Sequence, residues 1–199
     1  ATCYNSILWG DAANAGDPEI VLDANGAVSL NDSVLQGGCP GGNAACSNLI
    51  SGDPLLGTLG DHGGAVASVL PGYGGAAIDA ATCAVMDDIR GVARPQGAGC
   101  DVGAAELRMS ALTAVVDGSG SVSAGATPVP ATGGIADCTD SCTATYYAET
   151  QPTVTLTATP AAQWSFQAWG GDCSGTDPVA TVAITAAKSC TATFVQSLT

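Results

Sequence analysis

The twenty residues Asp87–Glu106, DDIRGVARPQGAGCDVGAAE, constrain this chain more than any other stretch. The whole chain has four basic side chains, and two of them, Arg90 and Arg94, sit here with Arg108 just outside. Asp87, Asp88, Asp101 and Glu106 surround them. A carboxylate–guanidinium cluster follows, because Arg offers a planar fork of donors that matches a carboxylate. Gly91, Pro95, Gly97, Gly99 and Gly103 break up the segment, which forbids a helix and predicts tight turns. The expectation is a compact, ion-paired, turn-rich plug at the end of a β domain. The alternative is an active site, since structural ion-pair networks and catalytic ones look alike in sequence.

The 199 residues can form one large or two small domains with a real core. Hydrophobic content is 46% but aromatics are only 5%, so small residues, with many Thr, Val and Gly, point to closely packed strands. A net charge of −14 argues against nucleic acid and against anionic membrane surfaces. It suits a solvated acidic exterior, or one that meets divalent cations.

Nine cysteines with no Cys-x-x-Cys pair and a single histidine do not read as zinc sites. They read as disulfides in an oxidising, exported setting. Cys39 with Cys46 and Cys138 with Cys142 close small local loops. Cys83 with Cys100 spans the arginine segment, and Cys173 with Cys190 joins two strands. The spacing suggests this pairing and does not prove it. Cys3 is left over, either free or bonded to another chain. There is no signal peptide, no apolar run of bilayer length and no initial Met. A processed or trimmed piece of an exported protein is expected.

Asn5-Ser6-Ile7-Leu8 recurs as Asp32-Ser33-Val34-Leu35, 27 residues later. A period of this size signals a solenoid whose turns stack their apolar strands. Ile20-Val21-Leu22 and Val28-Ser29-Leu30 read as further short strands between Gly- and Asn-rich corners. Asn5 and Asn31 form either a stacked polar ladder or solvated turns. A solenoid that starts at Ala1 has an open end, with unpaired backbone groups and exposed core side chains. Tyr4 and Trp9, near this end, are either core residues or contact residues for whatever covers it. Leu49–Ala81 reads as loop-rich. Its His62, beside Asp61, reads as a surface-loop residue, because no Gly-x-Ser-x-Gly elbow exists to supply a nucleophile.

Between Asp53 and Leu107 stand, in order, Asp53-Pro54-Leu55-Leu56-Gly57, Asp61-His62-Gly63-Gly64, Leu70-Pro71-Gly72, Ala77-Ile78-Asp79-Ala80, Arg90-Gly91-Val92-Ala93-Arg94-Pro95 and Asp101-Val102-Gly103-Ala104-Ala105-Glu106. In these motifs the segment resembles the C-terminal module of the bacterial surface proteins called choice-of-anchor Q. The resemblance implies the end of a right-handed parallel β-helix and an extracellular address, and supplies no reaction. Two departures are His62, where the family usually has Asn, and Ala105, where it has an aromatic.

From Leu112 the pattern becomes plain alternation. Leu112–Val116, Cys142–Tyr147, Thr153–Thr159, Val179–Ile184 and Cys190–Val195 read as five strands. Asp117-Gly118-Ser119-Gly120 and Gly170-Gly171-Asp172 read as turns between strands. Asp117–Val122, Val154–Pro160, Phe166–Gly175 and Thr191–Phe194 carry a resemblance, over Leu112–Val195, to bacterial B-repeats related to those of internalins. That implies a small β-grasp-like module, a spacer or adhesive unit of surface proteins. Relatives often place a Cys where Val179-Ala180 stands here, so Cys190 takes its place as partner of Cys173. The fold class is therefore mainly β: residues 1–108 as β-helix rungs and plug, 109–199 as a B-repeat module.

Trp164 and Phe166 share a face by alternation, and Trp169 falls in a turn. Phe166 and Trp169 suit a core, while Trp164 is the candidate for an exposed contact. Asp137, Asp140, Asp172 and Asp177 lie in loops, where calcium is one reading and a solvated acidic face the favoured one, since no calcium-loop spacing is present. No catalytic residue, cofactor or metal is assigned.

Together these readings describe an extracellular structural or adhesive protein of a bacterial surface, not an enzyme. It would assemble with copies of itself through the open end, its strand edges and Cys3. The alternatives are a carbohydrate-binding module using Trp164 and Trp9 on surface glycans, and a polysaccharide lyase or hydrolase using Asp87, Asp88 and Asp101 beside the arginines.

Overall fold

The computed structural model describes residues 1–10, 19–20, 22, 24–150 and 152–197. The chain is mainly β and divides into two compact units, Ala1–Leu107 and Arg108–Thr199.

Unit 1 begins with β1 (Thr2–Tyr4), β2 (Ile7–Leu8), β3 (Ala27–Leu35) and β4 (Asn43–Ile50). All their pairings are parallel, with β1 and β2 end to end along one edge of β3 and β4 along the other. The 27-residue sequence repeat is the register of this sheet: Thr2 pairs with Ser29, Ile7 with Val34 and Leu8 with Leu35. Three polar residues share one column. Asn5, Asp32 and Asn48 all have positive φ, at 47°, 47° and 48°. Asn and Asp tolerate this left-handed conformation better than most residues, since their side chains bond locally. The polar ladder is therefore Asn5–Asp32–Asn48. Asn31, expected to stack on Asn5, instead pairs with Tyr4.

The kink at Asp32 lets β3 serve two cores. Val28, Leu30 and Leu35 form one cluster, on which Cys3, Leu8, Ile20, Leu22 and Cys46 pack. Val34 joins the other, with Ala77, Ala81, Cys100 and Val102, and Ile7 and Trp9 cover it. Ile20 and Leu22, expected in a strand, lie outside every strand; Val21 falls outside the described residues. Residues 53–107 form no strand of their own. Isolated bridges (Gly60 to Ser68, Ala81 to Cys100, Asp87 to Ala93) and many turns hold them.

Unit 2 contains β5 (Met109–Asp117), β6 (Gly120–Ala124), β7 (Thr132–Gly133), β8 (Ser141–Tyr147), β9 (Thr153–Pro160), β10 (Trp164–Gly171), β11 (Val179–Ala183) and β12 (Lys188–Gln196). They make two sheets, one ordered β10-β12-β5-β8-β7 and the other β11-β9-β6. One core draws on both: Leu112, Ala144 and Phe194 from the larger sheet, Val122, Leu156 and Val182 from the smaller. The five strands expected from alternation lie within or along β5, β8, β9, β11 and β12. Two sheets stand where one β-grasp-like sheet was expected, and no α-helix occurs among the described residues.

Strand β10 shows why alternation alone fell short. Its register with β12 shifts between Phe166 and Ala168, the mark of a β-bulge. One extra residue reverses the parity of everything after it. Phe166 opposite Phe194 and Trp169 opposite Ala192 therefore reach the same core, with Phe166–Trp169 ring centroids 5.5 Å apart. Trp169, expected in a turn, is in the strand and 5% exposed.

Candidate functional site

The turn-rich segment of unit 1 gathers a buried polar network. Asp88 lies at its first corner. Its Oδ1 accepts the amides of Arg90 and Val92 at 2.7 and 2.9 Å. Its Oδ2 accepts Arg90 Nε at 2.8 Å and the Glu106 amide at 2.9 Å. Burial pulls the Asp88 pKa upward, but these four donors outweigh it and hold the carboxyl below its ordinary value.

Arg90 also donates to the Glu106 carbonyl, so one guanidinium ties both ends of the segment. Arg94 lies deeper: Nη1 donates to the Asp101 carbonyl and Nη2 to the Gly103 carbonyl, both at 2.8 Å. Glu106 approaches Arg94 Nη1 to 3.6 Å, and its two oxygens accept the amides of Gln96 and Asp101, each at 2.9 Å.

Asp101 bonds the amides of Asp79 and Leu107 at 2.9 and 2.8 Å. Its carboxyl is pushed up to about 6, chiefly by burial and further by the nearby Glu106 and Asp79 carboxylates, against the pull of the two amides. Asp88, Arg94, Asp101 and Glu106 are all buried. Asp87 stands apart: it is exposed, bridges Ala93 through its backbone, and contributes no carboxylate bond to the network.

Such a network ties backbone together. Each carboxylate of Asp88, Asp101 and Glu106 has both oxygens bonded to main-chain amides or an arginine. What the arrangement does is clamp turns whose amides would otherwise be buried without partners.

Two participants were not visible in the sequence. Asp79, at φ 54°, accepts the Gly99 amide. Asn5 exchanges two bonds with Gly103: Nδ2 donates to the carbonyl at 3.1 Å, and the Gly103 amide donates to Oδ1 at 3.0 Å. Asn48 Nδ2 similarly bonds Asp32 Oδ1 and the Ala80 carbonyl, at 2.7 and 3.0 Å. The polar column of the parallel sheet thus pins the plug. The alignment of Asn5 with Asp32 in the repeat was the available signal.

Cys39 is bonded to Cys46, Cys83 to Cys100, Cys138 to Cys142 and Cys173 to Cys190. Cys3 is free, half-buried and packed on Val28, Leu30 and Leu35. Of the candidate contact aromatics, Tyr4 is 66% exposed. Trp9 and Trp164 are partly buried and packed on their cores.

Local donors hold the loop acids: Asp137 bonds Ser123, Asp172 bonds Lys188 and the Ser189 amide, and Asp177 bonds the Val179 amide. Asp140 accepts the Val116 amide through its carbonyl. Among the described residues no group of three or more His, Cys, Asp or Glu could hold a metal ion. His62 is half-buried, and its Nε2 is buried without a hydrogen-bond partner. A depression of about 360 Å³ in unit 2 is lined by residues such as Gly118, Ser119, Thr139 and Pro160, with no ionisable side chain. Among the described residues no helix is long and apolar enough to cross a membrane.

No curated protein and no solved structure matches the chain. Residues 129–198, from just before β7 through β12, match the family model of the divergent InlB B-repeat domain, which leaves β5 and β6 of the same core outside the matched span.

Proposed function

We propose that this chain serves as an extracellular structural or adhesive protein of a bacterial surface, whose copies assemble through the open edge of the parallel sheet. In this reading unit 1 is the end of a right-handed parallel β-helix, closed on one side by the buried plug, and unit 2 is a disulfide-braced B-repeat spacer. The carrying observation is the outer edge of β1 and β2, with which no strand pairs among the described residues. Ala1 and Asn5 direct backbone bonds to β3, as do Ser6 and Leu8. Thr2, Tyr4 and Ile7 therefore turn their backbone groups away from β3, and Tyr4 exposes its ring. Such an edge accepts a further strand, and a head-to-tail contact that does not close yields a filament.

The test is negative-stain electron microscopy of the native chain, with a non-reducing gel of the same sample. Regular fibres are expected, with or without a ladder of Cys3-linked species. Tyr4→Pro, which removes an outward donor and no bond to β3, should abolish them. Discrete monomers from the native chain at every concentration would overturn the assembly reading.

A further inference from the structure

Strand β11 is an edge of a different kind. It pairs antiparallel with β9 from Val179 opposite Thr157 to Ala183 opposite Thr153. The Pro178 carbonyl accepts the Ala158 amide, and the Ile184 amide donates to the Pro152 carbonyl. Bonding direction alternates along an antiparallel strand, so Pro178, Ala180, Val182 and Ile184 face β9 while Val179, Thr181 and Ala183 face outward. Among the described residues no strand pairs with that outer side. The opposite edge of the same sheet is covered, because β6 exchanges bonds with Cys138 and Ile135.

Edges left open are normally blunted by charge, proline or a bulge. Val179–Ala183 reads VATVA, without charge or proline, and its register with β9 is unbroken. The Val179 amide is already bonded to Asp177 Oδ1. The outward groups left are the amides of Thr181 and Ala183 and the carbonyls of Val179, Thr181 and Ala183.

We infer that this edge joins the β11 edge of a second copy, antiparallel, about a twofold axis through Thr181. Thr181 then faces Thr181 of the partner and forms two bonds. Each Ala183 amide reaches the Val179 carbonyl opposite, for about four bonds in all. The Val179 amide, capped by Asp177, is the donor that would otherwise meet the Ala183 carbonyl opposite, so that carbonyl is left to solvent. Charge selects the direction. Asp177 precedes the strand, so parallel pairing would set Asp177 against Asp177 of the partner, whereas antiparallel pairing puts the two at opposite ends of the contact. Two three-stranded sheets become one six-stranded sheet, an isologous contact that closes. With a net charge of −14 on each copy, added salt should strengthen the contact by screening their repulsion.

This contact uses neither β1 nor β2, so it survives failure of the parallel-edge assembly, and Tyr4→Pro should leave it intact. The experiment is oxidative cross-linking of the full chain in a Cys3→Ser, Tyr4→Pro background, the parent here, in which the parallel-edge assembly is removed. In the antiparallel pair, Thr181 and its twin come close enough for a disulfide. Thr181→Cys should give a covalent dimer on a non-reducing gel. Val179→Cys and Ala183→Cys should give none singly and a heterodimer when mixed. Thr181→Pro and Thr181→Lys, each with the fold intact by circular dichroism, should sediment as monomers where the parent shows dimers. Equal cross-linking at all three positions would overturn the inference. So would no cross-linking at Thr181, or a parent that sediments as a monomer at every salt concentration.

Discussion

Asn5 and Gly103 lie 98 residues apart and exchange two hydrogen bonds, the side-chain amide of one matching the backbone amide of the other. Asn5 does with its side chain what a neighbouring strand would do with its backbone. It does so from φ 47°, a conformation that presents the carboxamide sideways out of the sheet. Gly103 answers from φ 107°, where any Cβ is strained and would lie 3.1 Å from Ile7 Cδ1. The first strand and the last turn of unit 1 are thus joined at one residue pair.

Asn5→Ala should therefore destabilise unit 1 by about 2–3 kcal/mol, summing two lost bonds and an alanine in the left-handed region. Asn5→Gly should recover the conformational part and not the bonds. The local readout is hydrogen exchange at the Gly103 amide. Its protection should fall in both variants, more in Asn5→Ala.

The raised pKa of Asp101 sets a pH dependence with a definite sign. Folding lifts this carboxyl from 3.8 to about 6, so the folded state holds the proton more tightly than the unfolded chain. Its contribution is fully present below pH 3.8 and is lost as pH rises through 6, about 3 kcal/mol in all. Asp88, held low, works the other way: its contribution is present above its ordinary value and is lost as pH falls below it. Urea unfolding of unit 1, followed by residue-resolved NMR from pH 4 to 7, should show stability falling with pH. Asp101→Asn should flatten that slope while lowering overall stability, because an amide nitrogen cannot accept from both Asp79 and Leu107. An unchanged slope would remove Asp101 from the account.

The four disulfides should open in order of access. Cys39 is exposed and Cys46 half-buried, whereas Cys173 and Cys190 are both buried. Stepwise reduction with alkylation and peptide mapping should find Cys39–Cys46 open first and Cys173–Cys190 last. Replacing Cys173 and Cys190 together by Ala should cost unit 2 about 3 kcal/mol, the loop-closure value for their separation of 17 residues. The measurement is a thermal melt of the variant against the parent.

The bulge in β10 predicts an inequality between two tryptophans. Trp169→Ala should destabilise unit 2 by about 3–5 kcal/mol, since the ring is buried against Phe166 and its indole N–H bonds the Asp177 carbonyl at 3.0 Å. Trp164→Ala should cost less, because that ring is only partly covered. Deleting Gln167 removes the extra residue and makes the ladder with β12 regular, leaving Trp169 opposite Ala192 and on the core face, so it should cost less than Trp169→Ala. Chemical denaturation of the three variants checks the ranking.

Properties that depend on near neighbours could be read from the sequence. Alternation in Thr153–Thr159 determined a half-buried strand, because successive side chains of a strand point to opposite faces whatever the fold. The offset between Asn5–Leu8 and Asp32–Leu35 determined the register of the parallel sheet, since stacked turns repeat the same bend at the same place. Short spacings determined that Cys39 could meet Cys46 and Cys138 could meet Cys142.

Tertiary structure decided what depends on chain reversal. It put Asp88, Asp101 and Glu106 in the buried network and left Asp87 outside. Neighbouring carboxylates are alike in sequence, and only the turn geometry chooses which one faces the amides. It recruited Asn5 and Asp79, which belong to no cluster in the linear chain. It brought Trp169 into the core through one inserted residue, a parity change that Gln167 does not announce. Periodicity is a property of the backbone. The closing of a polar network is a property of where distant turns come to rest.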